Sequence, residues 1–251
     1  MSDAPTAAIL IIGDEILSGR TQDTNVKYIG ERLAALGIRL REVRVVPDAD
    51  TAIIEAVNAL RARYTYLFTT GGIGPTHDDI TTACIAKAFG RDVMRHPEVE
   101  RAFHAYFGER INEARLKMAE VPSGDDVDII RNEATIAPGF RIGNVFVMAG
   151  VPSIARAMFE AAVPQLTRGD PVYSGNVEAE IKEGDIADGL TAIQAKYPAV
   201  SLGSYPRAAD GKFWVSVVGR STDKALIAAA IGEVARLMQS KGAAPSAPVL
   251  P

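Results

Sequence analysis

"AAILII", residues 7–12, is an unbroken apolar run that ends on Gly13. A strand wetted on one side alternates apolar with polar residues, so this run predicts a strand buried on both faces, for which a parallel sheet is the simplest context. Working outward, Val26, Ile29, Leu33 and Leu36 recur at spacings of three and four and stop at Gly37. That spacing predicts an amphipathic helix with a glycine C-cap and with Asp23 or Thr24 capping its start. "IRLREVRVVPD", residues 38–48, is rich in β-branched residues and reads as a second strand. Ile53, Val57 and Leu60, behind Asp50 or Thr51, give a second helix, and "YTYLFTT", residues 64–70, a third strand. Strands alternating with helices at this length imply right-handed βαβ crossovers, so the expected fold is a doubly wound α/β domain with a mostly parallel sheet.

Further along, the pattern predicts a helix near 79–89 and a longer one from Pro97 that carries Val99, Phe103, Phe107 and Ile111. After the polar stretch 121–130 come short strands around "GFRIG" and "NVFVMAG", then a helix from Ser153 to about Leu166. The pattern changes near residue 170. Val177, Ala179 and Ile181 alternate as in a one-sided strand, and Ile186, Leu190 and Ile193 follow as a helix. "VSLGSY" and "KFWVSVVG" give two strands, and Ile227, Ile231, Val234 and Met238 a last helix. The expected organisation is an α/β domain over 1–170, a small α+β domain of order βαββα over 171–240, and a disordered tail over 241–251, where periodicity ceases.

Composition narrows the function classes. No apolar stretch in the 251 residues approaches the roughly 20 that a membrane helix needs. The N-terminus has no basic segment before its apolar run, so a cytoplasmic location without membrane association is expected. A net charge of −4 with no run of lysine or arginine lacks the electrostatic footprint of a nucleic-acid binder. The single cysteine, Cys84, excludes an intrachain disulfide and a cysteine-rich zinc site; within a helical pattern it reads as a core thiol.

Ligands of open parallel sheets sit at the carboxyl ends of the strands. Three polar segments converge there: "GDEILSG" (13–19), "DTN" (23–25) and "TTGGIGPTHDD" (69–79). Gly71, Gly72 and Gly74 free the backbone to turn with exposed N–H groups, and a helix starting near Asp79 adds its positive end, which makes an anion cradle. A plain structural turn is the competing reading. A Walker loop is excluded, because Pro75 and Thr76 stand where its lysine and hydroxyl residue belong, and the dinucleotide fingerprint lacks its third glycine. Asp79 reads as a helix cap. Asp78 has no such task, and paired aspartates beside phosphate call for a bridging divalent cation, with Asp78 and Asp79 as its ligands. Asp14 and Glu15 bring two more acids to this edge, or else form a solvated turn. Ser18 and Asn25 offer neutral hydrogen bonds to a base, ribose or pterin, although "DTN" also suits ordinary capping. His77 adjoins the acids; His96 and His104 read as surface or packing residues. No Ser/His/Asp arrangement is present.

"GDEILSGRTQDTN", "TTGGIGPTHDDIT", "AEVPSG", "APGF" and "AGVPSIARAMF" resemble, in order and spacing, the N-terminal MoaB/Mog-like molybdopterin-binding domain of the CinA family, over about 7–170. The βαββα segment with "GSYP" (203–206) is similar to the small domain that follows it. The resemblance implies a homo-oligomer that binds molybdopterin or a related phosphorylated heterocycle or nucleotide. It also implies a pyrophosphatase acting on ADP-ribose or FAD with Mg²⁺, Mn²⁺ or Co²⁺. By the same resemblance Gly71, Gly72, Gly74 and Thr76 belong to the phosphate loop, Asp78 and Asp79 to catalysis and metal binding, and Asp14, Glu15, Ser18, Asp23 and Asn25 to the first polar loops. The family's C-terminal amidase has no counterpart here, so nicotinamide mononucleotide deamidation is not expected. Thr135 and Ile136 replace a Gly-Thr pair, and Ala149 and Ile154 replace a proline and a glutamate. Two readings stand: a metal-assisted nucleotide pyrophosphatase, and a binding module without turnover.

Overall fold

Alternate residues of the first strand enter two different cores. In the computed structural model, which describes residues 4–209 and 211–251, β1 (Thr6–Ile12) is buried along nearly its whole length. The chain continues through α1 (Asp14–Leu17), α2 (Asn25–Ala35), β2 (Arg39–Val46), α3 (Asp50–Arg63), β3 (Tyr66–Thr70) and α4 (Thr81–Ala88). Then follow β4 (Val93–Arg95), α5 (Pro97–Phe107), α6 (Glu113–Lys117), β5 (Glu120–Pro122), β6 (Val127–Ile130), β7 (Gly139–Ile142), β8 (Val145–Met148) and α7 (Pro152–Ala162). Ala8, Leu10 and Ile12 of β1 pack with Ile53, Val57 and Leu60 of α3 and with Cys84 and Ile85 of α4. Ala7, Ile9 and Ile11 pack on the other side with Ile29 and Leu33 of α2 and with Met158 and Phe159 of α7. Period-2 side-chain alternation produces this division, and it explains why no polar residue interrupts the run.

The sheet runs β2-β1-β3-β8-β7-β6. β1 pairs in parallel with β2 and β3, and β3 with β8, while β7 and β6 complete the sheet antiparallel. The mostly parallel α/β fold expected from the sequence is therefore present. On the α2/α7 face Phe68 stacks on Phe146 at 5.1 Å between ring centroids and tilts against Phe159 at 5.2 Å. Arg32 of α2 clamps Glu160 of α7 through Nε at 2.6 Å and a second nitrogen at 2.7 Å, and the Tyr28 hydroxyl donates to the same carboxylate at 2.8 Å.

Three local expectations differ from the structure. The helix from Pro97 ends at Phe107, because Gly108 takes φ +54°, and Ile111 lies beyond a 3₁₀ turn. Val99 and Phe103 pack with Leu116 and Ala119 in a small satellite cluster. The antiparallel pair β4–β5 and the short α6 were not expected, since three- to five-residue elements carry no readable period. The polar stretch 121–130 contains β6, whose Val127–Ile130 backbone pairs with β7.

The chain divides into two units, Met1–Gly169 and Asp170–Pro251. The second contains β9 (Tyr173–Glu180), α8 (Glu183–Lys196), β10 (Ser201–Ala209), β11 (Lys212–Ser221) and α9 (Lys224–Ser240) around an antiparallel sheet of order β10-β11-β9. Val177, Ala179, Val215 and Val217 face Ile186, Ile227, Ile231 and Val234 of the helices. Asp223 caps α9 by accepting from the Ala225 and Leu226 amides at 2.8 and 3.1 Å. At the β10 edge the Leu202 amide donates to Gln194 Oε1 at 2.9 Å, and two-residue periodicity places Pro206, which has no N–H, on that same edge. The tail departs from the disorder expected for 241–251. Val249 exchanges both backbone hydrogen bonds with Asn176 at 2.9 Å, and the Ser246 amide donates to Glu178 O at 2.7 Å. The unpaired peptide groups of β9 supply the partner that sequence periodicity could not reveal. Among the described residues no helix is long and apolar enough to cross a membrane.

Candidate functional site

The loop after β3 is fixed by crowding. The Gly71 amide donates to Met148 O at 3.2 Å, and its φ of +105° would aim a Cβ to within 2.1 Å of Ile12 O. Gly72, at φ +68°, would bring a Cβ to 2.2 Å from Thr81 Oγ1. Thr81 is fully buried; its hydroxyl donates to Gly71 O and its amide to Gly72 O, each at 2.9 Å. The structural-turn reading thus accounts for both glycines without a ligand. Gly74 differs, for a Cβ there would stand 2.7 Å from Asp79 Oδ2, so its bare backbone admits that carboxylate. The N–H groups of Gly72, Ile73 and Gly74 donate to no protein acceptor among the described residues. These three half-buried amides are the part of the loop that the fold itself does not use.

Asp79 is not the helix cap that its position suggested. α4 begins at Thr81 with Ile80 at the N-cap and no side-chain cap. Asp79 Oδ2 instead accepts from the Thr76 amide at 2.8 Å and the Thr76 hydroxyl at 2.5 Å, closing a four-residue turn. The short Thr76–Asp79 reach wins over the helix end because the Thr81 amide is already satisfied by Gly72 O. Asp78 projects into solvent, with 64% of its side chain exposed. Lys117, from α6, donates to Thr76 O and lines a small cavity with Ile73, Gly74, Asp79, Thr82 and Glu120.

On the β1 and β2 side the structure adds an acid that sequence reasoning passed over. The Asp14 amide donates to Asp48 Oδ2 at 2.9 Å. Burial raises the Asp48 carboxyl above its ordinary value against the opposing Asp14 hydrogen bond, and the negative charges of Asp14, Glu15 and Asp78 add to the rise. Asp14, Glu15, Asp48 and Asp78 therefore share one electrostatic neighbourhood. Asp48 follows Pro47 in a stretch that reads as an ordinary turn, and only its place at the carboxyl end of β2 signalled a role.

The remaining candidates separate. Asn25, 3% exposed, anchors its Nδ2 on Gly150 O at 2.9 Å while its Oδ1 has no partner. A Cβ on Gly150 would touch Gly71 Cα at 3.3 Å, so Asn25 is linked through Gly150 to the glycine turn. Asp23 accepts from the Val26 amide at 2.9 Å and so caps α2, and the Ser18 hydroxyl donates to Glu15 O at 3.3 Å; neither makes a hydrogen bond to the glycine loop. Cys84 is wholly buried, and burial first, then Asp50, push its thiol up to about 12, as suits a core residue rather than a nucleophile. His77 lies 3.9 Å from Asp78 and is almost fully exposed. Thr135 Oγ1 accepts from the Ala137 amide at 3.3 Å, Ile136 is exposed, and Ile154 packs against the α2/α7 core.

Comparison with known proteins places this geometry in a family context. The family model described as a probable molybdopterin binding domain matches residues 8–168, and the one described as the FAD synthase middle domain matches 171–246. A protein of Aeropyrum pernix is 35% identical over 84% of this chain and 82% of its own length. A probable FAD synthase of Caenorhabditis elegans is 32% identical over 82% of this chain, which spans only 44% of that larger protein. Among solved structures, CinA of Thermoplasma acidophilum, described as of unknown function, is 31% identical with a TM-score of 0.60, over 65% of this chain and 99% of that one.

Proposed function

Because the chain belongs to the CinA family and carries that family's probable molybdopterin binding domain, we propose that it hydrolyses nucleotide pyrophosphates of the ADP-ribose or FAD class. The observation that carries this reading is the row of unengaged Gly72, Ile73 and Gly74 amides set beside a neighbourhood of carboxylates. Amides alone suit an anion, and carboxylates alone repel one. Both together suit a phosphate that arrives with a hard cation. Oxygen-only donors fit Mg²⁺, Mn²⁺ or Co²⁺. Among the described residues no three acids or histidines gather closely enough to cage an ion. One or two carboxylates plus phosphate oxygens is the set that Mg²⁺ commonly takes, and Asp78 and Asp79 are the residues that would hold it here. When bound, the ion supplies charge neutralisation at the phosphoryl oxygens.

The chain's own residues divide the rest of the task. The Gly72, Ile73 and Gly74 amides bind non-bridging phosphate oxygens and stabilise the charge that grows on them. Asp14 or Glu15 orients a water and takes its proton as oxygen attacks phosphorus; the bridging P–O bond breaks, and ADP-ribose yields AMP and ribose 5-phosphate. The FAD synthase descriptions among the matches concern a flavin nucleotide pyrophosphate, which supports this substrate class, while molybdopterin remains the ligand suggested by the domain's name. Purified protein incubated with Mg²⁺, Mn²⁺ or Co²⁺ should release AMP from ADP-ribose or FAD, and the Asp78→Asn/Asp79→Asn double variant should not. Absence of AMP across that panel sinks the hydrolase reading.

One observation favours a binding module without turnover. Ile154, where the resemblance has a glutamate, lies packed against the α2/α7 core and offers no carboxylate. Calorimetry separates the readings, since ligand uptake without product supports the module alone.

A further inference from the structure

We infer that Lys117 is a phosphate-binding residue: its ammonium provides, from within the chain, positive charge for a phosphate seated on the Gly72–Gly74 amides. The inference rests on the phosphate reading of that loop and adds to it a charge that needs no metal. Lys117 arrives from 41 positions away in sequence to donate to Thr76 O, inside the turn that Asp79 closes. It shares a small cavity with Gly74, Asp79 and Glu120, yet among the described residues it forms no ion pair with either carboxylate. An ammonium has three donors, and one is spent on Thr76. Two remain, half-buried beside backbone amides that also lack acceptors.

The placement is built rather than incidental. Asn112 caps α6 by accepting from the Arg115 amide at 2.9 Å, and Leu116 is buried against Val99, Phe103 and Ala119. The backbone at Lys117 is thereby fixed, and its side chain reaches outward from that anchored point to the glycine loop. Asp79 Oδ2 accepts from the Thr76 amide and hydroxyl, which fixes the turn that presents Thr76 O to the ammonium. A phosphate entering the cavity would meet amide donors from one segment and an ammonium from another, a two-sided grip that orients it.

The test is calorimetric titration of the full chain with inorganic pyrophosphate in EDTA, comparing wild type with Lys117→Gln and Lys117→Arg. Wild type should bind without metal, Lys117→Gln should bind at least tenfold more weakly, and Lys117→Arg should retain most of the affinity. The wild-type Lys117 ammonium ¹⁵N resonance should also shift on adding pyrophosphate, a readout that does not depend on any variant folding. Equal binding by wild type and Lys117→Gln, no wild-type binding in EDTA, or an unmoved ammonium resonance each overturns the inference. Those results leave the hydrolase reading to its own assay: AMP release that persists with metal defeats only the role of Lys117. Pyrophosphate binding in EDTA without AMP release under any metal defeats only the hydrolase reading.

Discussion

Gly71→Ala is the perturbation that the structure constrains most tightly. At φ +105° an L-residue sits in a sparsely populated region, which costs about 1–3 kcal/mol. The new methyl would also stand 2.1 Å from Ile12 O, a backbone atom of β1 that cannot rotate away. Forced overpacking of this kind costs about 1–3 kcal/mol more, and the lost flexibility of the unfolded chain returns about 0.4–1 kcal/mol. The net expectation is a loss of about 1–5 kcal/mol. Gly90→Ala is the matched control, because its φ is +64° but nothing lies within 4 Å of the added methyl. Only the conformational term then applies, about 1–2 kcal/mol before the same entropic return. Denaturant and thermal unfolding followed by far-ultraviolet circular dichroism would measure both. Trp214 lies in β11, so tryptophan fluorescence read alongside reports on the second unit. At about 2–4 °C per kcal/mol for a unit of this size, Gly71→Ala should melt several degrees below Gly90→Ala. If the two variants unfold within about 1 kcal/mol of each other, the collision with Ile12 is not real and the account of the turn is wrong.

Thr69 Oγ1 is buried in β3 without a hydrogen-bond partner, so Thr69→Val, which keeps the shape, should stabilise the first unit by about 1–2 kcal/mol in urea unfolding; a destabilised variant would mean that the hydroxyl has a partner in solution. The Arg32 hydrogen bonds lower the Glu160 carboxyl below its usual range against the effect of burial. That stability is present above the unfolded carboxylate pKa and is lost as pH falls through the lower folded value. The urea midpoint of wild type should therefore exceed that of Glu160→Gln near neutrality, and the gap should close as pH falls below the usual carboxylate range; a gap that widens in acid contradicts the sign.

The fold was legible because its strongest signals are local and periodic. "AAILII" could lie unbroken only between two apolar layers, and β1 does divide its residues between α3/α4 and α2/α7. The site was legible in parts. The glycine loop announced itself, but its division of labour did not: Gly71 and Gly72 serve the turn, whereas the amides of Gly72, Ile73 and Gly74 are left over. Asp79 looked like a cap because an aspartate shortly before a helix usually is one, and nothing in the local sequence tells that Gly72 O has already taken the Thr81 amide. Asp48 and Lys117 were missed for a different reason. Each reaches the loop through tertiary placement, one at the end of a neighbouring strand and the other from a short helix with no period of its own. A residue that matters only through packing leaves no trace in spacing.

The second unit's sheet has consequences for how copies of this chain can meet. Gln194 occupies an amide on the β10 edge, Pro206 removes another, and Ser246 and Val249 lie along the β9 edge. Borders interrupted at these points are poorer templates for adding strands from another molecule. Growth by strand recruitment, the first step toward fibrils or swapped assemblies, is hindered where those groups lie. Self-association of this unit is thereby steered toward side chains, where single substitutions can tune it, and away from the backbone, where they cannot.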